Sequence, residues 1–467
     1  MNKKIIVAGA GHGGIVAALY LAQSGLDVTV YEKGEKGKLG YEQSDSVHLD
    51  SFELAGIPVP EEYVVPKTPI TFCVPGTDIE PISQLESGDS LTVEIDRKVL
   101  YDYLISLAEE AGAKFVYGCE ILSPIVLGSR VVGIKTSQGD IYADMVIDAA
   151  GLYSPVRTGL PDFMHITKEA GNFNVLKTYR AYFDKAPDAP EAEHKYKVSL
   201  IPGEFCGLLW VITKEDCVDV FIGAFNGLTE EDVEKYLGIL REENPQIGDK
   251  LIKGGKFADI PVRAPMAILV ADGYAAVGDS AFMTIPIKGS GVGYSMRAGK
   301  ILAETLIADT DGLFDREHLW DYQVEFFDEI GSGAGMLAVI KCLFPLLTLD
   351  DLSYALGEKL VSSEDLTLFG SEAGIMKIVS SIKMAALKDK AKKLVNFPDM
   401  RKLLSFVTGG MTRYKVIDSR MRSKYDAAAA ARWADSYDAF FAGLTEPKEN
   451  KGDNQAVSEA TDAESEE

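Results

Sequence analysis

A glycine-rich segment near the start of the chain has the spacing needed to bind a dinucleotide. An apolar run precedes Gly9, Gly11 and Gly14, and a second apolar run ends at Glu32. In this pattern the first glycine permits a tight turn, the second lets the backbone approach a pyrophosphate, and the third allows a helix to pack closely on a strand. The acid is placed to bind ribose hydroxyls, and Lys33 beside it is a further candidate contact.

The wider context of this segment supports the dinucleotide interpretation. Ala18 and Gly25 fall at the further spacings of the extended fingerprint, within a strand–helix–strand pattern. A glycine-rich packing turn is one alternative. A signal peptide starting with Lys3 and Lys4 is another, but the glycines interrupt its apolar core and no small-residue cleavage site follows. We therefore expect the mature chain to begin near Met1.

Composition narrows the class of protein. The 467 residues suggest two or three domains, and a hydrophobic content of 46% is ample for a core. With 47 basic and 71 acidic residues, the net charge is 47 − 71 = −24. So acidic a chain repels nucleic acid, and we expect no nucleic-acid partner.

Cysteine and histidine usage gives no sign of a metal centre. The five cysteines are odd in number and form no C-x-x-C pair, which suits a reducing cytoplasm. If residues 213–216 form a hairpin turn, Cys206 and Cys217 lie about 20 Å apart and are not paired. The five histidines show no metal-ligand spacing either. We predict no bound metal.

Hydrophobic periodicity predicts the elements that position these groups. An amphipathic helix should open at Glu94 and close at Gly112. A β-meander should follow, with strands at residues 114–117, 131–136 and 141–147.

A second acidic candidate lies far along the chain. An apolar run beginning at Gly273 ends in Asp279, and Gly291 and Gly293 follow before a long helix that extends through Leu306. The sequence therefore predicts a strand that ends in an acid, a glycine-rich turn and a helix.

Taken in order, these positions resemble those of FAD-dependent oxidoreductases. The resemblance rests on the glycine fingerprint, Asp96-Arg97, the Ala150-Gly151 turn with Ser154 and Arg157, and Gly278-Asp279. The layout is similar to that of the aromatic-ring hydroxylases and closer to the geranylgeranyl reductase family, whose substrate-domain hairpin resembles Pro202-Gly203, Gly207 and Trp210. The resemblance as a whole covers roughly residues 1–310.

The resemblance implies non-covalent FAD binding and assigns roles to individual residues. Asp279 would accept hydrogen bonds from the ribityl hydroxyls, and Arg97 would contact FAD. A helix beginning near Ser290 would point its positive end at the flavin pyrimidine. Gly151, Gly291 and Gly293 are the remaining cofactor-binding candidates. For Arg97, a surface salt bridge stays open as the alternative.

Three departures from the family pattern affect the expected reaction. Related proteins usually have Asp-Gly where this chain has Ala150-Gly151, so one polar contact near the cofactor is missing or replaced. The hairpin has one tryptophan and lacks the proline of the halogenases, which disfavours a halogenase. The loop 40–46 has no cysteine, although some geranylgeranyl reductases carry a functionally important one there.

The predicted fold class is α/β: a Rossmann-like FAD-binding domain with an inserted mixed β-sheet substrate domain and a helical C-terminal region. The FAD-binding domain is assigned to residues 1–60, 91–160 and 262–310. The substrate domain is assigned to residues 61–90 and 161–261, the helical region to 311–444, and a disordered acidic tail to 445–467.

The predicted substrate pocket is the aromatic hairpin of the inserted domain. Phe205, Trp210, Phe221 and Phe225 are candidates for the pocket wall, although an aromatic stripe is more often plain core.

Two C-terminal segments suggest contact with lipid. Residues 336–347 are strongly apolar but too short for a membrane span, so a core helix or a lipid-facing lid is expected. Residues 375–402 carry eight basic residues against two acidic ones. Such a segment fits an anionic membrane surface, an acidic partner, a diphosphate-bearing substrate, or a plain solvated face.

The sequence thus favours an FAD-dependent oxidoreductase that reduces carbon–carbon double bonds of a hydrophobic, isoprenoid-like substrate. A flavin-dependent monooxygenase, an electron-transfer flavoprotein that reduces quinone, and a non-enzymatic nucleotide-binding scaffold are the alternatives. No second glycine fingerprint is present, so NAD(P)H must dock transiently or a protein must donate the electrons. A cytoplasmic location is expected, with peripheral contact at the inner face of the membrane as an option.

Overall fold

The computed structural model describes residues 3–85, 91–171, 173–358, 362–368 and 398–445. The first third contains β1 (Lys4–Ala8), α1 (His12–Gln23), β2 (Asp27–Tyr31), β3 (Ser44–His48), α2 (Leu49–Ala55), β4 (Val64–Pro66), β5 (Thr71–Cys73), β6 (Ile82–Ser83), β7 (Leu91–Asp96), α3 (Arg97–Glu110), β8 (Lys114–Val116), β9 (Ile121–Leu127), β10 (Arg130–Thr136), β11 (Gly139–Tyr142), β12 (Met145–Asp148) and α4 (Pro155–Thr158).

The remaining elements form a second sheet region and a helical end. They are β13 (Val175–Lys185), β14 (Tyr196–Ile201), β15 (Gly207–Thr213), β16 (Val218–Ala224), α5 (Glu230–Glu243), β17 (Ile247–Pro261), β18 (Val270–Ala271), β19 (Tyr274–Ala276), α6 (Val292–Ala308), α7 (Arg316–Phe326), α8 (Ser332–Lys341), α9 (Leu349–Gly357), α10 (Ser363–Leu368), α11 (Pro398–Asp418) and α12 (Ala427–Thr445).

A six-stranded sheet with the order β18-β19-β12-β1-β2-β8 forms the centre of the molecule. The strands from β19 to β8 pair in parallel, and only β18 is antiparallel. Ile5, Ile6 and Val7 of β1 are all fully buried, as expected for a parallel strand covered on both faces. The carboxyl ends of these strands therefore meet at one edge, where a ligand site is expected.

The inserted sheet has seven strands in the order β17-β13-β16-β15-β14-β5-β6. It is mixed, because β14 pairs in parallel with β5 while its other pairs are antiparallel. One face packs on α5 through Leu209, Val211 and their neighbours. The alternate residues Leu208 and Trp210 point to the opposite face, as the two-residue period of a strand requires. The predicted fold class is confirmed.

Two smaller sheets, β11-β10-β9 and β3-β7-β4, complete the strand inventory of the described residues. The predicted meander was wrong in two of its three strands. β8 joins the central sheet beside β2 instead. The run 141–147 divides into β11 and β12, because the chain crosses between sheets at Asp144, which exchanges hydrogen bonds with Lys4.

The predicted start of the second helix was also wrong. Residues 91–96 form β7, whose register pairs Ile95 with Asp45, and α3 begins only at Arg97. From Val93 to Asp96, more buried and less buried residues alternate, as in a half-buried strand. The helical spacing of Leu100 and Leu104 begins only after this strand. The predicted domain limits stay a prediction; within them, β4 pairs with β7 and not with the inserted sheet.

The C-terminal region is helical where the structure describes it. A continuous helical stretch, Arg316–Leu346, is long and apolar enough to cross a membrane, but 61% of its apolar window is buried inside the fold. This burial is the pattern of a core helix, and α8 lies within it. The predicted basic segment lies outside the described residues except for 398–402, and the predicted tail lies outside them beyond Thr445.

Helices α1 and α6 touch through glycines, and this contact brings their N-termini to the same edge of the central sheet. A β-carbon on Gly299 would lie 2.2 Å from the carbonyl oxygen of Gly13. The two backbones are therefore too close to admit any side chain at this crossing.

We predict that Gly299→Ala destabilises the protein by about 1–3 kcal/mol, because the methyl group overpacks the helix crossing. The matched control is Gly238→Ala in the exposed part of α5, where a β-carbon meets nothing within 4 Å. That substitution should be neutral or stabilise by about 0.5–1 kcal/mol through helix propensity. Urea denaturation measures both, and equal midpoints for the two variants would contradict the prediction.

Candidate functional site

One large cavity lies between the carboxyl edge of the central sheet and the inserted sheet. Its volume is about 1840 Å³, well above the roughly 300–1,000 Å³ usual for a single small-molecule pocket. The glycine turn, Glu32 and Asp279 line one end, and Trp210 and Phe221 line the wall formed by the inserted sheet. The cavity therefore has room for a dinucleotide and a second molecule together.

The glycine turn follows β1 and closes tightly against the next strand. Gly9 has φ +88°, and its N–H donates to the carbonyl of Tyr31 at 2.8 Å. β-Carbons on Gly9 and Gly11 would lie 2.7 and 2.8 Å from the carbonyl oxygen of Ala149. Gly9 and Gly11 line the cavity, so side chains are excluded where a pyrophosphate would approach.

Gly14 lies outside the cavity wall and has a packing role. A β-carbon there would lie 2.5 Å from Cβ of Ala149 and 2.8 Å from Cγ1 of Val7. The third glycine of the fingerprint thus allows helix α1 to approach β1 and β12, as the motif predicts.

The N-terminus of α1 opens into the cavity without a cap. It has no capping side-chain hydrogen bond and no acid in its first turn, so its positive end is available for an anion. His12 lies at this end, with its ring 4.3 Å from that of Tyr101. Burial and nearby Arg97 lower the pKa of His12 to about 4, so the imidazole is neutral at neutral pH. Its Nε2 is buried without a hydrogen-bond partner in the described residues.

Glu32 holds the turn and faces the same space. Its Oε2 accepts from the backbone N–H of Ala10 at 2.8 Å, and its Oε1 accepts from that of Gly34 at 2.7 Å. Both Glu32 and Lys33 line the cavity. A carboxylate fixed in this way keeps lone pairs for ribose hydroxyls.

Arg97 is paired inside the cavity and is not a surface salt bridge. Its Nε and Nη2 each donate to the carboxylate of Asp45 at 2.7 Å. Burial alone would raise the pKa of Asp45, but Arg97 outweighs it and holds that pKa below its usual range. Asp45 lies in β3, which takes up the second half of the cysteine-free segment 40–46, so a partly buried ion pair fixes this segment.

Asp279 lies in a tight turn, Gly278–Ala281, directly after β19. Burial raises its pKa, although Arg97 and Arg157 oppose the shift. Among the described residues, no hydrogen bond joins its side chain to another group. A half-buried carboxylate that lines a cavity without a protein partner is suited to the hydroxyls of a polyol ligand.

The N-terminus of α6 approaches this carboxylate. A β-carbon on Gly291 would lie 3.4 Å from Oδ1 of Asp279 and 2.9 Å from Cγ2 of Thr284, and both Gly291 and Gly293 line the cavity. Like α1, α6 has no capping side chain and no acid in its first turn. Two helix N-termini therefore open into one cavity.

A buried carboxylate that the sequence analysis missed organises the loop after β12. Asp148 is fully buried and accepts from Ser154 Oγ at 2.6 Å, Ala150 N–H at 3.1 Å, Arg157 N–H at 3.1 Å and Tyr274 Oη at 3.1 Å. Asp148 does not line the cavity, so it fixes the loop from within the protein and does not replace the polar contact near the cofactor that Ala150 lacks. The signal was present in the sequence as an acid at the end of an apolar strand.

Gly151 and Arg157 connect this loop to the turn that carries Asp279. Gly151 N–H donates to Ser280 Oγ at 2.8 Å, and Nη1 of Arg157 donates to the Ser280 carbonyl at 2.7 Å. The Arg157 guanidinium lies 4.5 Å from the ring of Phe282. The loop and the turn are therefore one hydrogen-bonded unit, and Gly151 lines the cavity.

The aromatic wall of the inserted sheet contains three of the four predicted residues. Trp210 and Phe221 stack at 3.7 Å between ring centroids, and both line the cavity together with Phe225. Phe205 lies elsewhere: it packs on Tyr236 of α5 at 4.0 Å, on the other face of the sheet. Phe205 is in the turn before β15, where strand alternation no longer predicts the face.

A second buried ion pair supports this wall. Nε and Nη2 of Arg180 donate to the fully buried carboxylate of Asp219, at 2.9 and 2.5 Å. The guanidinium also lies 5.4 Å from the rings of Tyr182 and Trp210. The phenol oxygen of Tyr182 accepts a hydrogen bond from the backbone N–H of Ser44 at 2.8 Å. This bond connects the wall to β3, the strand that contains Asp45.

No group of three or more His, Cys, Asp or Glu side chains within the described ranges is placed to hold a metal ion. All five cysteines lie in those ranges and are free.

These features fit FAD by their chemistry. The uncapped α1 end and the glycine turn suit a pyrophosphate, Glu32 suits ribose hydroxyls, and the unpartnered Asp279 suits ribityl hydroxyls. The remaining space faces Trp210 and Phe221, where a second, apolar molecule would lie beside the cofactor.

Comparisons with known proteins agree with this geometry. Residues 7–42 match the family of NAD(P)-binding Rossmann-like domains. A digeranylgeranylglycerophospholipid reductase from Sulfolobus acidocaldarius is 23% identical over 84% of this chain and 86% of its own length. The structure of a geranylgeranyl bacteriochlorophyll reductase-like protein from Thermoplasma acidophilum has a TM-score of 0.67 at 20% identity, over 84% of this chain and 99% of that one. PqsL of Pseudomonas aeruginosa, a probable FAD-dependent monooxygenase, has a TM-score of 0.55 at 17% identity, over 76% and 98%.

The chain is thus an oxidoreductase with the fold of FAD-dependent reductases and monooxygenases. More particularly, it is a homologue of the digeranylgeranylglycerophospholipid reductases, which confirms the resemblance to the geranylgeranyl reductase family. The cofactor roles of individual residues stay predictions.

We predict that Asp279→Ala weakens FAD binding about ten- to a hundredfold, because it removes charged hydrogen-bond acceptors from the cofactor end of the cavity. Flavin retained after gel filtration and equilibrium titration of the apoprotein measure the effect. The exposed Asp140→Ala variant is the control for the loss of one negative charge. Equal flavin occupancy in both variants would refute the role of Asp279.

A second prediction concerns the Arg180–Asp219 pair. Asp219→Asn should cost about 3 kcal/mol of stability, because it leaves Arg180 buried without its carboxylate. The double variant Arg180→Met, Asp219→Leu should recover most of that loss. The corresponding change in the exposed pair Lys114–Asp27, Asp27→Asn, should cost less than about 1 kcal/mol. Denaturation midpoints that rank the variants otherwise would show that the pair is not buried as described.

Proposed function

We propose that the protein reduces carbon–carbon double bonds of an isoprenoid-like lipid. The observation that carries this proposal is the single cavity, in which a site suited to FAD continues into an aromatic and aliphatic wall. The named activity of the curated relatives, reduction of digeranylgeranylglycerophospholipids, supports the same substrate class.

Each group at the site has a task in this reaction. FAD, when bound and first reduced by the electron donor, would supply the hydride for one carbon of the double bond, and a proton for the other carbon would complete the addition of two hydrogens. Glu32, Asp279 and the two helix ends hold the cofactor. Trp210 and Phe221 orient an apolar chain against it and exclude water. The Arg97–Asp45 and Arg180–Asp219 pairs keep charge inside the cavity balanced, so that an apolar chain does not meet an isolated charge at this wall.

A monooxygenase is the second candidate, favoured by the fold that the chain shares with PqsL. The two reactions leave different products. Reduction adds two hydrogen atoms to the substrate and needs no oxygen, whereas monooxygenation adds one oxygen atom and consumes O₂.

We predict that the anaerobically reduced holoprotein, mixed with an unsaturated polyprenyl lipid, yields a product heavier by two hydrogen atoms. Mass spectrometry of the extracted lipid measures this, with the fully saturated lipid and the Asp279→Ala protein as controls. A product heavier by one oxygen atom, formed only in air, would assign the monooxygenase reaction instead. Reoxidation by a quinone with no lipid product would assign electron transfer.

The electron donor belongs to the same proposal. The matched Rossmann-like segment, residues 7–42, is a single nucleotide site, and we assign it to FAD. NAD(P)H would therefore dock transiently in the open part of the cavity, or a protein would donate the electrons. Rapid anaerobic mixing with NADH, with NADPH and with a reduced ferredoxin-type protein separates these donors by the rate at which flavin absorbance is lost.

Membrane contact follows from the proposed substrate. Leu346 and Leu349 are 49% and 44% exposed, close in sequence to the cavity-lining Leu347, and Arg401 and Lys402 are exposed on α11. We propose that this end of the molecule rests on an anionic membrane, assisted by the basic residues of the segment 375–402.

We predict that the protein sediments with anionic vesicles at low salt and less with neutral ones, because basic side chains are attracted to anionic head groups. Replacing Lys377, Lys383, Lys388 and Lys393 by Gln should abolish sedimentation, and Leu346→Ser with Leu349→Ser should weaken it. The exposed Lys135→Gln variant is the matched control. Unchanged sedimentation of the four-lysine variant would exclude the basic segment as the contact.

A further inference from the structure

Lys341 is a buried cation in the cavity wall that is not among the residues assigned to the cofactor. It is only 5% exposed and lines the cavity from the last turn of α8. Its ammonium donates to the carbonyl of Phe173 at 2.5 Å and to Oδ1 of Asn174 at 2.9 Å. The Asn174 amide is oriented for this contact, because its Nδ2 donates to the carbonyl of Ala170. Both partners of the ammonium are neutral oxygens.

No carboxylate balances this charge among the described residues. Lys341 forms no ion pair there, and the nearby ionisable groups that act on it are Cys342, Arg263 and Cys206. Arg263 is itself a cation and engages Asp438 at 3.7 Å. Burial lowers the pKa of Lys341 to about 8, so the ammonium still carries its charge at neutral pH. Elsewhere in the cavity, Arg97 and Arg180 each have a bidentate carboxylate.

An unpaired ammonium in an apolar place is costly, since the effective penalty for burying an ion is several kcal/mol. The surroundings of Lys341 are apolar. The ammonium of Lys341 lies 5.8 Å from the ring centroid of Phe225, and the ring centroids of Phe225 and Phe344 are 5.5 Å apart. The other apolar side chains of this part of the cavity wall are Leu208, Ile260, Val262, Ile340, Leu343 and Leu347.

A continuous wall connects this cation to the aromatic pair near the cofactor. Phe221 lies in β16 and Phe225 directly follows that strand; both line the cavity and belong to one apolar cluster with Trp210. A linear apolar ligand that stacks on Trp210 and Phe221 would reach Lys341 with its polar end.

We propose that Lys341 binds an oxyanion, a phosphate or a carboxylate, carried by the apolar chain of the substrate. The negative charge of the ligand supplies the countercharge that the ammonium lacks, and the separation between Lys341 and the Trp210–Phe221 pair sets which double bond faces the cofactor. The inference depends on the proposed function only in taking the chain to be isoprenoid. Lys341 is then a residue that determines specificity, remote from the reacting carbons.

The test uses the FAD-loaded protein and three saturated ligands: an isoprenoid phosphate, the matching carboxylic acid and the matching alcohol. None has a double bond, so binding is measured apart from any reduction. We expect at least one of the two anions to bind about tenfold or more tightly than the alcohol. Preference for both anions assigns a general oxyanion site, and preference for one identifies its source.

Lys341→Met should remove this preference and leave the affinity for the alcohol within about twofold, whereas Lys341→Arg should retain most of it. Lys135→Met, exposed on β10, is the control for loss of one positive charge. Equal affinities of the three ligands for the wild-type protein overturn the proposal, as does an anion preference that survives in Lys341→Met. If Lys341→Met does not fold, the wild-type ranking and the Arg variant still decide. Failure of lipid reduction with a retained anion preference would refute the proposed reaction alone.

Discussion

The buried carboxylate of Asp148 is the contact on which the cofactor end of the structure depends. It lies at the carboxyl end of a central parallel strand and accepts hydrogen bonds from the backbone of the following loop, from Ser154 and from Tyr274 of the neighbouring strand. A fully buried charge is tolerated only when such partners surround it. The same loop contains Gly151 and Arg157, which hydrogen-bond to Ser280 in the turn that contains Asp279. Asp148 therefore fixes the position of Asp279 indirectly, through this loop.

Charges within the cavity fall into two kinds, and the difference separates structural from ligand-binding groups. Arg97 and Arg180 have bidentate carboxylates, so their charge is balanced before any ligand arrives. Asp279 and Lys341 lack a countercharge bonded to them in the described residues. They lie on different elements of the wall, one at the turn after β19 and one at the end of α8. A polyol would suit the first of these charges, and an oxyanion the second.

Local sequence patterns predicted the strands, turns and helices at this edge of the central sheet well, because their determinants are local. The turn from Gly9 to Gly14, the acid at Glu32 and the strand that precedes Asp279 each lie within one short segment, where spacing alone carries the information. The partition of residues 114–147 between two sheets was not predictable in this way, because a strand that enters the central sheet has the same alternation as one that stays in a meander. The prediction that Phe205 lines the pocket was wrong for a related reason. The side of the sheet on which Phe205 lies is set by packing on Tyr236, which is remote in sequence.

The segment 40–46, in which the family resemblance led us to look for a cysteine, is held by other contacts. Asp45 pairs with Arg97, and Tyr182 of the inserted sheet binds the backbone of Ser44. The segment is consequently fixed to the start of α3 through an ion pair and to the inserted sheet through a phenol. A thiol in this place would contribute a polarisable, reactive atom, whereas a carboxylate held by an arginine contributes a fixed charge whose pKa lies below its usual range. Because the Asp45 carboxylate is already engaged by Arg97, its contribution to the cavity is a balanced charge and not a reactive group.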